Sequence, residues 1–118
     1  PALIHCTAGK DRTGLLVALF LLSLGVPEAT VLADYTMSNH FYDHFRRGIA
    51  AELKQVAPWG VSVDDLQDLL LVKAKTLQGA LAHLRQQYGS PEAYLRNQAG
   101  ISDDTIAQLR HYWLADPL

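Results

Sequence analysis

His5-Cys6-Thr7-Ala8-Gly9-Lys10-Asp11-Arg12-Thr13-Gly14 is the stretch on which the fold turns. Residues 2–5, Ala-Leu-Ile-His, precede it; short, apolar and carrying a β-branched Ile, they predict a buried strand. Thr13 to Leu24 follows, apolar on nearly every side, and predicts a helix lying in the core. A small polar loop between a buried strand and a buried helix is where α/β proteins hold anions. Two nucleotide loops are excluded. The Walker pattern needs Ser or Thr after Gly-Lys, but Asp11 stands there, and Ile4 occupies the place of its first Gly. The dinucleotide pattern needs three spaced glycines, and only Gly9 and Gly14 are present.

What remains is a Cys and an Arg with five residues between them, then a Thr. A loop of this length can curl so that the backbone N–H groups of Thr7, Ala8, Gly9, Lys10, Asp11 and Arg12 form a nest for an oxyanion. Arg12 closes the ring with two parallel hydrogen bonds to phosphate oxygens. Cys6 lies at the floor, near the positive end of the following helix. Both the donors and the helix dipole favour thiolate, which lowers the thiol pKa below about 8.5. A thiolate under a bound phosphate is placed for in-line attack and a phosphocysteine intermediate. Arg12 and the amides would hold the charge of the transition state. A lone Cys after an apolar strand is ordinarily a small buried hydrophobe; the spaced Arg, His5 and the Thr-Gly helix start outweigh that alternative.

The chain's 118 residues make one domain's worth, and 49% hydrophobic against 19% charged residues excludes a disordered chain. The formal charge is −2, with no basic tail in either half, which argues against nucleic acid as a partner. One cysteine excludes a disulfide within the chain and a Cys-rich zinc site. The longest apolar stretch, Leu15 to Leu22, is too short to span a bilayer. No secretory signal is present, so the expected compartment is the cytoplasm. The chain begins without Met and in mid-strand, which suggests the C-terminal part of a longer protein and leaves secretion open.

Downstream, helices are expected over residues 27–37 and 40–57, the second with Phe41, Phe45, Ile49 and Leu53 on one face. Pro58-Trp59-Gly60 predicts a turn, and Ser62 or Asp64 a helix cap. The helix so capped runs to about Leu71 and continues, with or without a break, through Leu77, Leu81 and Leu84 to Tyr88. Ser90-Pro91-Glu92 combines cap, Pro and acid at a helix start. Ser102-Asp103-Asp104 caps the last helix, with Ile106, Leu109 and Trp113 facing inward. The expectation is one short strand, one loop and five to seven helices.

The loop resembles the signature loop of Cys-dependent protein tyrosine phosphatases: His-Cys, five residues, Arg, then Ser or Thr. The longer string Gly-Lys-Asp-Arg-Thr-Gly is similar to the bacterial and fungal branch of tyrosine and phosphoinositide phosphatases. Asp34-Tyr35-Thr36-Met37-Ser38-Asn39 and Tyr88-Gly89-Ser90-Pro91-Glu92-Ala93-Tyr94-Leu95 are similar to later segments of that branch. The resemblance implies an α/β parent fold, of which this chain would be the mostly helical C-terminal part of a single phosphatase domain: residues 1–14 strand and signature loop, 15–118 helical. It implies Cys6 as nucleophile and Arg12 as phosphate clamp. It implies Thr13 as the hydroxyl that bonds the departing thiolate and His5 as support for the loop and the lowered Cys6 pKa. Lys10 would meet extra negative charge on the substrate, and Asp11 would be the general acid. The general-acid loop found before the signature in the wider family has no counterpart in the five residues before Cys6, so the acid is either Asp11 or a residue outside this chain.

The implied reaction is hydrolysis of a phosphomonoester, chiefly phosphotyrosine, extending to dual or phosphoinositide specificity, without cofactor or metal. A non-catalytic phosphate-binding module, or pseudophosphatase, is the alternative; turnover of an aryl phosphate separates the two. Sulfurtransferase chemistry is disfavoured because its common loop has four residues between Cys and Arg. His40 and His44, at i and i+4 with Asp43 between them, have zinc-compatible spacing, but there is no convincing third ligand and a solvated helix face explains them equally well. The isolated strand and all-apolar helix lead to one more expectation, that the chain self-associates or binds the rest of a longer chain.

Overall fold

A computed structural model of the chain describes residues 2–56 and 70–114. Its helices are α1 (Asp11–Ser23), α2 (Glu28–Met37), α3 (Tyr42–Val56), α4 (Ala74–Tyr88), α5 (Pro91–Asn97) and α6 (Asp103–Trp113), with a 3₁₀ turn at Ser38–Phe41 between α2 and α3. The caps foreseen for the last two helices are made. Ser90 Oγ accepts from the Ala93 N–H at 3.0 Å and Ser102 Oγ from the Thr105 N–H at 3.1 Å. Each satisfies a donor that the first helical turn leaves without a carbonyl. The acids Glu92, Asp103 and Asp104 sit in the same first turns, where the helix dipole favours them.

The core forms where α1, α2 and α4 meet. Ala18, Val31, Tyr35, Val72, Leu77 and Leu81 are buried there, edged by half-buried Leu15, Leu21, Leu22, Val26, Leu32 and Leu84. α5 packs on both α1 and α4. α6 is tied to the end of α1 by the Arg110 Nε–H, which donates to the Ser23 carbonyl at 2.8 Å. Trp113 sets its ring edge-on to Phe20, with centroids 5.4 Å apart. An Arg85–Glu28 ion pair joins α4 to α2 at the surface.

One contact in this core reaches toward the loop. A Cβ on Gly14 would lie 2.5 Å from two ring carbons of Tyr35. Glycine at this place is therefore a condition for α2 to lay the Tyr35 ring across the first turn of α1. In an open helix, Gly to Ala gains about 1 kcal/mol. Here Gly14→Ala should instead destabilise by about 1–3 kcal/mol, the cost of overpacking. The sign of the shift in a thermal denaturation midpoint checks it.

Residues 2–5 do not form the expected strand. They are irregular and exposed, Leu3 at 86% and Ile4 at 41%. A strand needs a neighbour for its N–H and C=O rows, and the described residues provide none. For the same reason α1 is covered on one side only: Ala18, Leu19 and Ser23 are buried, while Leu16 is 51% exposed. Phe41 and Trp113, expected to face inward, are exposed at 73% and 66%. Residues 71–73 break the chain before α4. The expected turn at Pro58-Trp59-Gly60 and the cap at Ser62 or Asp64 lie outside the described residues. Among the described residues no helix is long and apolar enough to cross a membrane.

Candidate active site

α1 starts two residues earlier than the apolar run suggested. Gly14 N–H donates to the Lys10 carbonyl at 2.8 Å, the first i to i−4 bond of the helix. Asp11 and Arg12 are thus on the first turn of α1, not in the loop. Lys10 occupies the cap position with φ −109° and ψ −85°, and its side chain makes no cap bond. Without a Ser, Thr, Asn or Asp cap, nothing local in the sequence marks this start. Gly9 turns the loop into the helix at φ +65°, a conformation that costs glycine little.

The result is a cup around the Cys6 sulfur. The Thr13 hydroxyl and the backbone N–H groups of Thr13, Lys10 and Gly9 all donate toward it. They outweigh the opposing effect of burial and lower the thiol from 9.0 to about 6, with the Thr13 hydroxyl making the largest contribution. Thr13 Oγ1 is buried and has no hydrogen-bond partner at ordinary distance, which leaves its hydroxyl for the sulfur. At neutral pH the donors therefore hold a thiolate. The alkylation rate of Cys6 should rise with pH to half its maximum near pH 6 and level off above it. Thr13→Ala should move that midpoint upward, because it removes a donor to the charged form. The rate of inactivation by iodoacetamide, measured against pH, checks both.

Arg12 and Thr7 close the rim. An Arg12 guanidinium nitrogen donates to Thr7 Oγ1 at 3.2 Å, which draws the side chain back over the loop from the first turn of α1. Lys10 Nζ and the Asp11 carboxylate pair at 2.9 Å. Lys10 is mostly covered and Asp11 mostly open. The structure thus brings Cys6, Thr7, Gly9, Lys10, Asp11, Arg12 and Thr13 together. Ala8 and Gly9 are exposed at the mouth of the adjoining cleft. His5 is exposed, and the lowered Cys6 pKa rests on Thr13, Lys10 and Gly9 instead. His5 belongs to the irregular segment before the cup, outside the ring of donors.

Beside Ala8, Gly9 and Lys10 opens a cleft of about 400 Å³, walled by Met37, Phe41, Tyr42 and Leu70, with Asp34, Ser38 and Asn39 at its polar edge. Asn39 holds the far wall. Its side-chain amide donates to the Val72 carbonyl and its oxygen accepts the Val72 N–H, both at 2.9 Å. This reciprocal pair fixes the 3₁₀ turn to the residues before α4. His40 Nδ1 lies 3.1 Å from the Met37 carbonyl within the same turn.

Tyr35, on α2, is a residue to which the sequence assigned no chemical role. It is buried, and it borders a small cavity together with Asp11. Burial first, then the charge and hydrogen bonding of Asp11, push the phenol above its usual value of 10.0. The sequence signal was present in Asp34-Tyr35 and in Gly14. Only the packing of α2 on α1 connects them.

The model of the tyrosine phosphatase family matches residues 1–115. The chain is 39% identical over 118 residues to the triple specificity protein phosphatase PtpB of Mycobacterium tuberculosis, an alignment covering 93% of this chain and 42% of that protein. It is 36% identical over 110 residues to a tyrosine-protein phosphatase of Nostoc commune, covering 92% of this chain and 37% of that one. The chain spans about two fifths of the length of these curated relatives.

Proposed function

Because the chain belongs to the tyrosine phosphatase family, we propose that its loop hydrolyses phosphomonoesters through a phosphocysteine intermediate. The observation that carries this is the convergence of the Thr13 hydroxyl and three backbone N–H groups on the Cys6 sulfur. In the first step the Cys6 thiolate attacks phosphorus and the P–O ester bond breaks. The leaving oxygen takes the proton of the Asp11 carboxyl and departs as an alcohol or phenol. In the second step Asp11, now a carboxylate, takes a proton from water as its oxygen attacks the phosphocysteine. The P–S bond breaks, inorganic phosphate forms, and the Thr13 hydroxyl receives the departing thiolate. Arg12 and the loop amides hold the three equatorial oxygens throughout.

Phosphotyrosine suits this site best, since the apolar and aromatic walls of the adjoining cleft can take an aryl ring. Lys10 at the edge of both cleft and cup supports acceptance of more highly charged substrates, among them phosphoinositides, once it exchanges its Asp11 partner for phosphate. The relative from M. tuberculosis carries triple specificity in its name, in keeping with a loop that accepts several phosphomonoesters. Turnover of an aryl phosphate, blocked by vanadate, tests the proposal. Phosphate binding without turnover would make the chain a binding module instead.

The exposed Leu3, Leu16, Phe41 and Trp113 support a further part of the proposal, association of this chain with another surface. Light scattering at micromolar concentration should show self-association; a monodisperse monomer would remove this part.

A further inference from the structure

We propose that Tyr35 is a positioning residue that holds the Asp11 carboxyl toward the leaving oxygen, and that Gly14 is the opening through which it reaches. The inference rests on Asp11 being the general acid, as proposed above.

Asp11 needs such an anchor. It is the first residue of α1 and mostly exposed, so its side chain has several rotamers open to it. Its neighbour Lys10 pairs with it at 2.9 Å, but Lys10 also borders the cleft beside the cup, where a phosphate would enter. When substrate draws the ammonium away, that pair no longer fixes the carboxyl. Tyr35 is not subject to this exchange. It is 6% exposed, it is part of the core cluster with Ala18 and Leu77, and its ring lies against the backbone of Gly14. Its hydroxyl is therefore set by the packing of α2 on α1 and not by a flexible stem.

A packing role alone would be served by phenylalanine. The hydroxyl of a packed tyrosine ring usually finds a polar partner, and the carboxylate that borders the same cavity is that of Asp11. Asp11, Arg12 and Tyr35 border a cavity of about 200 Å³ whose other walls include Leu15, Leu77 and Ala80. The remaining wall is Thr76, and the largely apolar surroundings strengthen a polar contact made there. Both Asp11 oxygens now lie within reach of the Lys10 ammonium. When that ammonium turns to phosphate, the phenol takes one of them and the other is left for the leaving oxygen.

The test is Tyr35→Phe, measured with an activated aryl phosphate and with a phosphate of a poor leaving group. A positioned acid contributes about 10²–10⁴-fold, so Asp11→Asn should slow the poor substrate by about 10²-fold or more. Tyr35→Phe should slow it by about tenfold, a part of that effect. Read as kcat/KM, which ends at formation of the phosphocysteine and so leaves out the part Asp11 plays in the second step, the activated substrate should fall much less than the poor one in both variants. The double variant should be no slower than Asp11→Asn alone, since the phenol acts only through that carboxyl. Carbon-labelled tyrosine followed by NMR gives a readout independent of turnover: the Tyr35 signal, identified by its loss in Tyr35→Phe, should titrate at lower pH in Asp11→Asn. Leaving-group-selective loss in Asp11→Asn, with equal slowing of both substrates or none in Tyr35→Phe, would overturn the role of Tyr35 and leave the acid standing. Effects that multiply in the double variant, or a Tyr35 titration indifferent to Asp11→Asn, would do the same. Equal slowing of both substrates by Asp11→Asn would overturn the acid and this inference with it.

Discussion

Cys6→Ser should remove turnover, by about 10⁴-fold or more as for the loss of other covalent nucleophiles, while leaving the affinity for inorganic phosphate little changed. The reason lies in what surrounds the sulfur. Thr13, Lys10 and Gly9 present donors only. Donors stabilise a thiolate that already forms near pH 6, but none of them can accept the proton a serine hydroxyl must lose before it attacks. The cup is thus built for an anion and not for activating an alcohol. The amides and Arg12 survive the change, so the oxyanion site remains. Calorimetric titration with phosphate alongside an aryl phosphate assay separates the two quantities. Ordinary turnover in the serine variant would rule out the phosphocysteine route.

Much of this site was legible in the sequence because its parts are local. Cys6, Arg12 and Thr13 lie within eight residues, and a short loop entering a helix can only aim its N–H groups inward or leave them in water. The caps at Ser90 and Ser102 were legible for the same reason, each bonding an N–H three residues on. Where a feature depends on distant residues, the sequence misled or was silent. Residues 2–5 have strand composition, but pairing is not a local property, and without a neighbour the segment stays irregular. Phe41 continues a four-residue periodicity and still faces outward, because the 3₁₀ turn of residues 38–41 rotates it away from the face of α3. The Tyr35–Asp11 and Asn39–Val72 contacts join residues 24 and 33 positions apart. Their residue types were visible, but not their meeting. The early start of α1 at Asp11 was hidden because Lys10 occupies the cap without the side chain that would announce it.

Arg12→Ala should weaken phosphate binding and turnover together, which sets it apart from Cys6→Ser. Arg12 sits on the second residue of α1, and its guanidinium is already drawn over the loop by the bond to Thr7 Oγ1 at 3.2 Å. In that position it meets both the ground-state dianion and the charge spread over the equatorial oxygens as the ester bond breaks. Loss of a donor aimed at developing charge costs about 10²–10³-fold in kcat, and loss of a bidentate ion pair raises KM as well. Arg12→Lys should restore part of the binding and little of the turnover, since an ammonium supplies charge without the planar fork. Thr7→Ala keeps the guanidinium but frees it from the rim. It should raise KM more than it lowers kcat, because bound phosphate can recapture the side chain before the chemical step. Steady-state kinetics on one aryl phosphate across the three variants gives the comparison. If Arg12→Lys matched the parent in kcat, the clamp would be acting as a point charge, and the planar geometry of Arg12 would have no part in the transition state.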